Sequence, residues 1–154
     1  MPLGMPPGSA QSSAMQIHAS CVARDGRGVL LLGPPGAGKS DLALRLIDRG
    51  FVLVADDRVE IADGFAAAPA GLAGLLEVRG LGIVRMAFLA RAALALAVQL
   101  GEEMVRMPDP ARLAMPDVPL IVLDPRGASA AQRVALALDC AAGGVRMVAG
   151  AFVP

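Results

Sequence analysis

"LLLGPPGAGKSDLALRL", residues 30–46, reads as an apolar strand, a glycine-rich loop and the first turns of an amphipathic helix. Its centre, Gly33-Pro34-Pro35-Gly36-Ala37-Gly38-Lys39-Ser40, fits G-x-x-x-x-G-K-[ST] in the strand–loop–helix setting that this phosphate-binding motif requires. Each residue type has a physical task there. Glycines let backbone N–H groups turn inward around a phosphate, and the helix N-terminus adds partial positive charge. Lys39 can reach terminal phosphates as a point charge, and the Ser40 hydroxyl can ligate Mg²⁺. These eight residues are therefore the candidate site for the phosphates of a nucleotide, with Mg²⁺.

Lys39 is also the only lysine among 14 basic residues. The many arginines, with abundant Ala, Gly and Pro, read as the codon bias of a GC-rich genome. A tight phosphate loop is the place where the broad, planar fork of arginine would not fit.

Fourteen basic and 14 acidic groups cancel, so no long-range field draws the surface toward nucleic acid or anionic lipid. Cys21 and Cys140 stand far apart, without a CxxC pair or nearby histidines, which argues against a metal or redox motif and for reduced, cytoplasmic thiols. The apolar stretch 87–100 is interrupted by Arg91 and is shorter than the ~20 residues a membrane-spanning helix needs. "MPLGMPPGSAQSSA" has neither a basic head nor an apolar run, so residues 1–15 are expected to be a disordered tail and residues 16–154 one domain.

Working outward from the loop, "QIHASCVA" (16–23) and "GVLLLG" (28–33) flank an Asp25-Gly26 turn and predict a hairpin. Leu42, Ala43, Leu46 and Ile47 recur at helical spacing, and Gly50 ends that helix. "FVLVA" (51–55) predicts a strand buried on both faces, and "RVEI" a further strand turning at "ADG". Residues 65–76 carry no clear period. Leu94, Leu96, Val98 and Leu100 alternate with smaller or polar residues and predict a strand, as does "VPLIVL" (118–123). Ser129 is a candidate N-cap for a helix over 130–142 closed by Gly143 and Gly144, and "VRMVA" (145–149) reads as either a last strand or a tail. The pattern predicts an α/β fold, a mixed sheet with the phosphate loop at the carboxyl end of one strand and few flanking helices.

In many phosphate-loop proteins a second strand ends in an acid that serves the magnesium shell. "FVLVADD" begins twelve residues after Lys39 and ends in Asp56 and Asp57. Adjacent strand residues point to opposite faces, so both can serve the phosphate only if the strand stops there. "PLIVLD", ending at Asp124, competes, and spacing alone does not choose. His18, the sole histidine, falls in an apolar strand, where a structural hydrogen-bonding role is the ordinary one.

"LLEVRGLGIVRM" (75–86), taken with "GPPGAGKSDLALRLIDRGFVLVADDRVEI" (33–61), resembles the HPr kinase/phosphorylase family, whose signature is close to "LEVRGLGI". The likeness runs from residue 17 to about 140. It implies a serine protein kinase of the phosphotransferase system that phosphorylates the phosphocarrier protein HPr with ATP, and reverses the step with inorganic phosphate to give pyrophosphate. By that resemblance His18 is a catalytic-site histidine, Lys39 contacts phosphates and Ser40 the metal. Asp57 takes the serine proton, Asp56 supports it, and Glu77 is a magnesium ligand with Arg79 and Gly80 around it. Arg106, in "EEMVRMPDP", matches the catalytic arginine.

The sequence also departs from the family pattern. Longer members carry an N-terminal domain and C-terminal helices that assist HPr binding and hexamer assembly, Pro35 stands where the loop commonly has serine, and the short form resembles alphaproteobacterial versions. Reverse activity and homo-oligomer formation are left open on those grounds. A small-molecule kinase and a non-catalytic nucleotide-binding sensor are the alternatives, the former disfavoured by the lack of an arginine-rich lid.

Overall fold

The computed structural model describes residues 14–103 and 105–154. Most of the tail expected over 1–15 lies outside the described residues, but Met15 already belongs to strand β1 (Met15–Ile17).

The predicted hairpin forms from β2 (Ala19–Arg24) and β3 (Arg27–Leu32), paired antiparallel with Arg24 opposite Arg27. Its two-residue turn places Asp25 at φ 54° and Gly26 at φ 76°, the left-handed pair that matches strand twist. After the loop, helix α1 (Lys39–Asp48) starts at Gly38, whose carbonyl accepts the Leu42 N–H at 2.9 Å. The chain then turns at Gly50 (φ 98°) into β4 (Val52–Ala55). Strands β5 (Val59–Ala62) and β6 (Phe65–Ala67) form a second hairpin across Asp63-Gly64.

The longest strand, β9 (Ala92–Leu100), organises the sheet. It runs parallel to β3 along one edge, and along the other it meets β6 at its start and β11 (Val118–Leu123) at its end. The path is β1-β5-β6-β9-β3-β2-β4, with β11 beside β9 and the short β10 (Arg112–Leu113) beside β11. Strand β4 touches β6, and β2 touches β5, although neither pair is adjacent in that order, so the sheet curls.

Strand alternation sorts the core into two faces. Val22, Val29, Leu31, Leu96, Val98 and Leu100 pack under α1 and helix α2 (Ala130–Ala141). The alternating small residues Ala19, Cys21, Ala23 and Ala97 join Leu30 and Val54 on the opposite face, inside the curl. Ala92 and Ala97 of the β9 stretch thus fit where the sheet closes on itself.

Five local readings are completed or changed. Residues 65–76, unassigned by periodicity, supply β6 and the start of β7 (Leu75–Val78), which pairs only with β8 (Gly82–Arg85) in a separate two-stranded sheet. Residues 145–149 form no strand. His18 lies in a bend between β1 and β2 and is exposed, because the chain changes partner there from β5 to β3. Val52, at the start of β4, is 40% exposed, so only Leu53, Val54 and Ala55 of that strand are buried. Ser129 does precede α2, but its hydroxyl accepts from Arg133 Nε at 3.0 Å and makes no capping bond.

Candidate active site

Topology brings the loop and the acid pair together. Strand β2 is antiparallel to both β3 and β4, so those two run in the same direction and end at the same side. The loop leaves β3 there, and Asp56-Asp57 leave β4 there. Between them the first residues of β2 return.

Within the loop, Gly36 (φ 83°) and Gly38 (φ 102°) adopt backbone conformations that side chains disfavour. Pro34 and Pro35 have no N–H to offer, and the Ala37 N–H bonds the Pro34 carbonyl at 3.0 Å. The donors aimed at an anion are those of the first turn of α1, which have no partner within the helix. Lys39 is 9% exposed, and its Nζ donates to the carbonyls of Gly33 at 2.7 Å and Pro34 at 3.0 Å. An ammonium has three donors, so one proton remains for a phosphate.

Asp56 ties three elements together. Its Oδ1 accepts from Ser40 Oγ at 2.6 Å and from Ser20 Oγ at 2.7 Å, and its Oδ2 accepts from the Glu77 N–H at 3.2 Å. The strand has already ended at Ala55, which removes the opposite-faces constraint on the acid pair. Asp57 takes the left-handed conformation (φ 68°), one that aspartate tolerates better than most residues, and its carbonyl accepts the Ala19 N–H at 3.2 Å. Its exposed side chain turns into the cavity.

That cavity, of about 420 Å³, is lined by Gly36, Lys39, Ser40, Asp57, Glu77 and Arg79, among others. Glu77 arrives on the β7–β8 hairpin, which Leu76, fully buried among the residues under α1, anchors to the body. The arrangement fits a divalent cation. Ser40 gives its only proton to Asp56 and so keeps its lone pairs for a metal, and Glu77 offers a carboxylate from the facing wall. No cluster of three or more His, Cys, Asp or Glu side chains suited to a metal occurs among the described residues. Ser40 and Glu77 could hold a cation such as Mg²⁺, which takes one or two protein ligands and completes its shell with phosphate oxygens and water.

The remaining candidates lie elsewhere. His18 and Arg106 are both exposed and neither lines the cavity, though His18 directly precedes the Ala19 that bonds Asp57. Asp124 does stand at the end of β11, but Arg126 takes both of its oxygens at 3.0 Å, and those hydrogen bonds hold its carboxyl below the usual carboxylate range. The residue that sequence reasoning missed is Ser20. Its signal was a lone hydroxyl in an apolar strand, which periodicity counts as an ordinary core position.

Comparison with known proteins adds independent findings. The family described as HPr Serine kinase C-terminal domain matches residues 9–99, which include the loop, the acid pair and Glu77 but not Arg106. The HPr kinase/phosphorylase of Levilactobacillus brevis is 47% identical over 73 residues, 44% of this chain and 24% of that protein. The HPr kinase/phosphorylase of Listeria welshimeri is 42% identical over 83 residues, 51% of this chain and 27% of that protein. The chain thus matches about a quarter of the length of these curated relatives. The solved structure of the Hpr(Ser) kinase/phosphatase from Coxiella burnetii superposes with a TM-score of 0.67 at 23% identity, covering 80% of this chain and 87% of that one. At that identity the likeness establishes the fold: a mixed sheet with few helices, as the sequence pattern predicts.

Proposed function

The chain belongs to the HPr Serine kinase C-terminal domain family, and on that premise we propose that it is an ATP-dependent kinase that phosphorylates a serine of the phosphocarrier protein HPr. The observation that carries this reading is the convergence of Lys39, Ser40, Asp57 and Glu77 on one cavity.

Phosphoryl transfer is mostly positioning and charge neutralisation. In this reading the first-turn N–H groups of α1 hold the phosphates and Lys39 bridges the loop carbonyls to the terminal phosphate. Ser40 and Glu77 would hold Mg²⁺, which would supply charge neutralisation for the phosphates. Asp57 orients the acceptor and takes the serine proton as the bond from serine oxygen to phosphorus forms and the bond to the ADP oxygen breaks. By the family resemblance His18 serves the acceptor side next to Asp57 and Arg106 offsets charge on the transferred group, although neither lines the cavity in this structure.

The reverse step belongs to the same proposal. Inorganic phosphate attacks phosphoserine, pyrophosphate leaves, and protonated Asp57 returns the proton to the serine oxygen. A role in the phosphotransferase system and a cytoplasmic location follow from HPr as the acceptor. No helix of the described residues is long and apolar enough to cross a membrane.

The test is intact-mass analysis of HPr after incubation with the protein, Mg²⁺ and ATP, followed by excess phosphate. One phosphoryl group gained on serine supports the kinase, and its loss on adding phosphate supports the reverse reaction. Asp57→Asn is expected to lose transfer while keeping ATP binding, and Arg106→Ala to slow transfer. ATP binding with HPr left unmodified would replace this reading with that of a nucleotide sensor.

A further inference from the structure

Ser20 and Lys39 are the two buried polar or charged residues among the described residues, and Ser20 is fully buried. A hydroxyl in such a place costs free energy unless it is hydrogen-bonded, and valine or alanine would serve a strand core at less cost. Its place in the sheet accounts for it. Ser20 lies opposite Leu31, near the end of β3 that feeds the phosphate loop, and Cys21 beside it lies opposite Ala55, the last residue of β4 before Asp56. Strand β2 is therefore wedged between the loop strand and the acid strand, and Ser20 is the side chain there that bonds Asp56.

Ser20 Oγ donates to Asp56 Oδ1 at 2.7 Å, the same oxygen that accepts from Ser40 Oγ at 2.6 Å. The other oxygen accepts the N–H of Glu77. With one oxygen held from the rigid sheet, the carboxylate plane has little freedom to rotate. The Ser40 proton is thereby kept on Asp56, and the Glu77 segment is kept at a set distance from α1.

We propose that Ser20 is a positioning residue for the divalent-cation site: acting through Asp56, it fixes the Ser40 hydroxyl and the β7 segment that carries Glu77. The inference rests on the nucleotide–Mg²⁺ part of the proposed function and is independent of the identity of the phosphoryl acceptor. A serine that merely fills a core position would affect stability and leave metal dependence untouched.

The experiment is calorimetric titration of the full chain with a non-hydrolysable ATP analogue, in excess Mg²⁺ and again in EDTA, for the wild type, Ser20→Ala and Ser20→Thr. Melting temperatures are recorded alongside. Ser20→Ala is expected to lose about tenfold of the affinity gained from Mg²⁺, the usual cost of removing an outer-shell partner, with little change in EDTA. Ser20→Thr, which keeps the hydroxyl, restores the gain. The alanine variant removes only one oxygen from the core and decides the matter alone if the extra methyl of threonine does not fit. Retention of the full Mg²⁺ gain by Ser20→Ala overturns the inference, and so does an equal loss of affinity with and without Mg²⁺. A wild type that binds no analogue in Mg²⁺ overturns the nucleotide reading itself, and this inference with it.

Discussion

The Ser40 hydroxyl donates to Oδ1 of Asp56 across 2.6 Å, joining the first turn of α1 to the end of β4. The bond places Asp56 of the Asp56-Asp57 pair, and not Asp124, against the phosphate loop. Asp56 is bound into the loop's own helix, whereas Asp124 is occupied by Arg126.

Asp56→Asn is expected to weaken Mg²⁺-dependent nucleotide binding by about 10–100-fold, as outer-shell changes at metal sites do. If the amide oxygen keeps the two serine donors, its NH₂ faces the Glu77 N–H, donor against donor. Asp124→Asn, by contrast, is expected to leave that affinity unchanged. Titration of both variants with nucleotide in Mg²⁺ checks the pair, and a loss confined to Asp124→Asn would reverse the assignment.

Lys39→Arg is expected to fail as a replacement. The ammonium sits 2.7 Å and 3.0 Å from two loop carbonyls in a nearly closed site, and a planar guanidinium cannot point at both and at a phosphate from one atom. Phosphoryl transfer should fall by about 10²–10³-fold in both Lys39→Arg and Lys39→Ala, the scale of losing one aimed charge donor. Initial rates of transfer measure it, and a Lys39→Arg variant near wild-type rate would show that charge alone suffices.

Gly74→Ala should destabilise the fold and unseat the β7–β8 hairpin. Gly74 adopts φ 79°, and a Cβ there would lie 2.9 Å from the Met86 carbonyl and 3.0 Å from the Phe88 ring. The Gly74 carbonyl also accepts the Met86 N–H at 2.7 Å, so the two sides of the hairpin base cannot simply separate. A cost of about 1–3 kcal/mol is expected from the backbone strain, with more from the clash. Gly36→Ala has a similar φ of 83° but open space around it, and should cost only the strain. Urea denaturation of the two variants compares them.

Alkaline pH should weaken the fold through Cys21. Burial pushes this thiol up to about 12 from an ordinary value of 9.0. A raised folded value means that the unfolded chain releases the proton first, so stability is intact below pH 9.0 and declines as pH rises toward 12. One proton gives a slope of at most about 1.4 kcal/mol per pH unit. Between pH 8 and pH 10 the wild type should therefore lose about 1 kcal/mol more than Cys21→Ala. Cys140, raised by desolvation and by the charge of Asp139, adds a residual slope shared by both. Denaturation curves at the two pH values test the difference.

The legible parts of the molecule were those written in short-range pattern. Asp25-Gly26 predicts its hairpin because only left-handed residues close a two-residue turn, and the alternation of Leu94 to Leu100 identifies β9 despite its alanines. Where a stretch lacks period, as over 65–76, the strands form because β5 and α1 offer them partners, and no local signal records that. His18 reads as a strand residue for a related reason. Its apolar neighbours belong to two strands that pair with different partners, and the bend falls between them.

By itself the sequence determined the phosphate loop, its lysine and serine, the helix that follows and the strand ending in two acids. All of these depend on backbone conformation and side-chain chemistry within a few residues. Only the tertiary structure decided what each acid touches. The return of β2 between β3 and β4 puts Ser20 and Ser40 on one oxygen of Asp56 and leaves Asp57 facing the cavity, and the Leu76 anchor carries Glu77 to the other oxygen. Those contacts join residues 16 to 36 positions apart. Hydrogen bonds over such separations depend on strand order, which local periodicity does not encode.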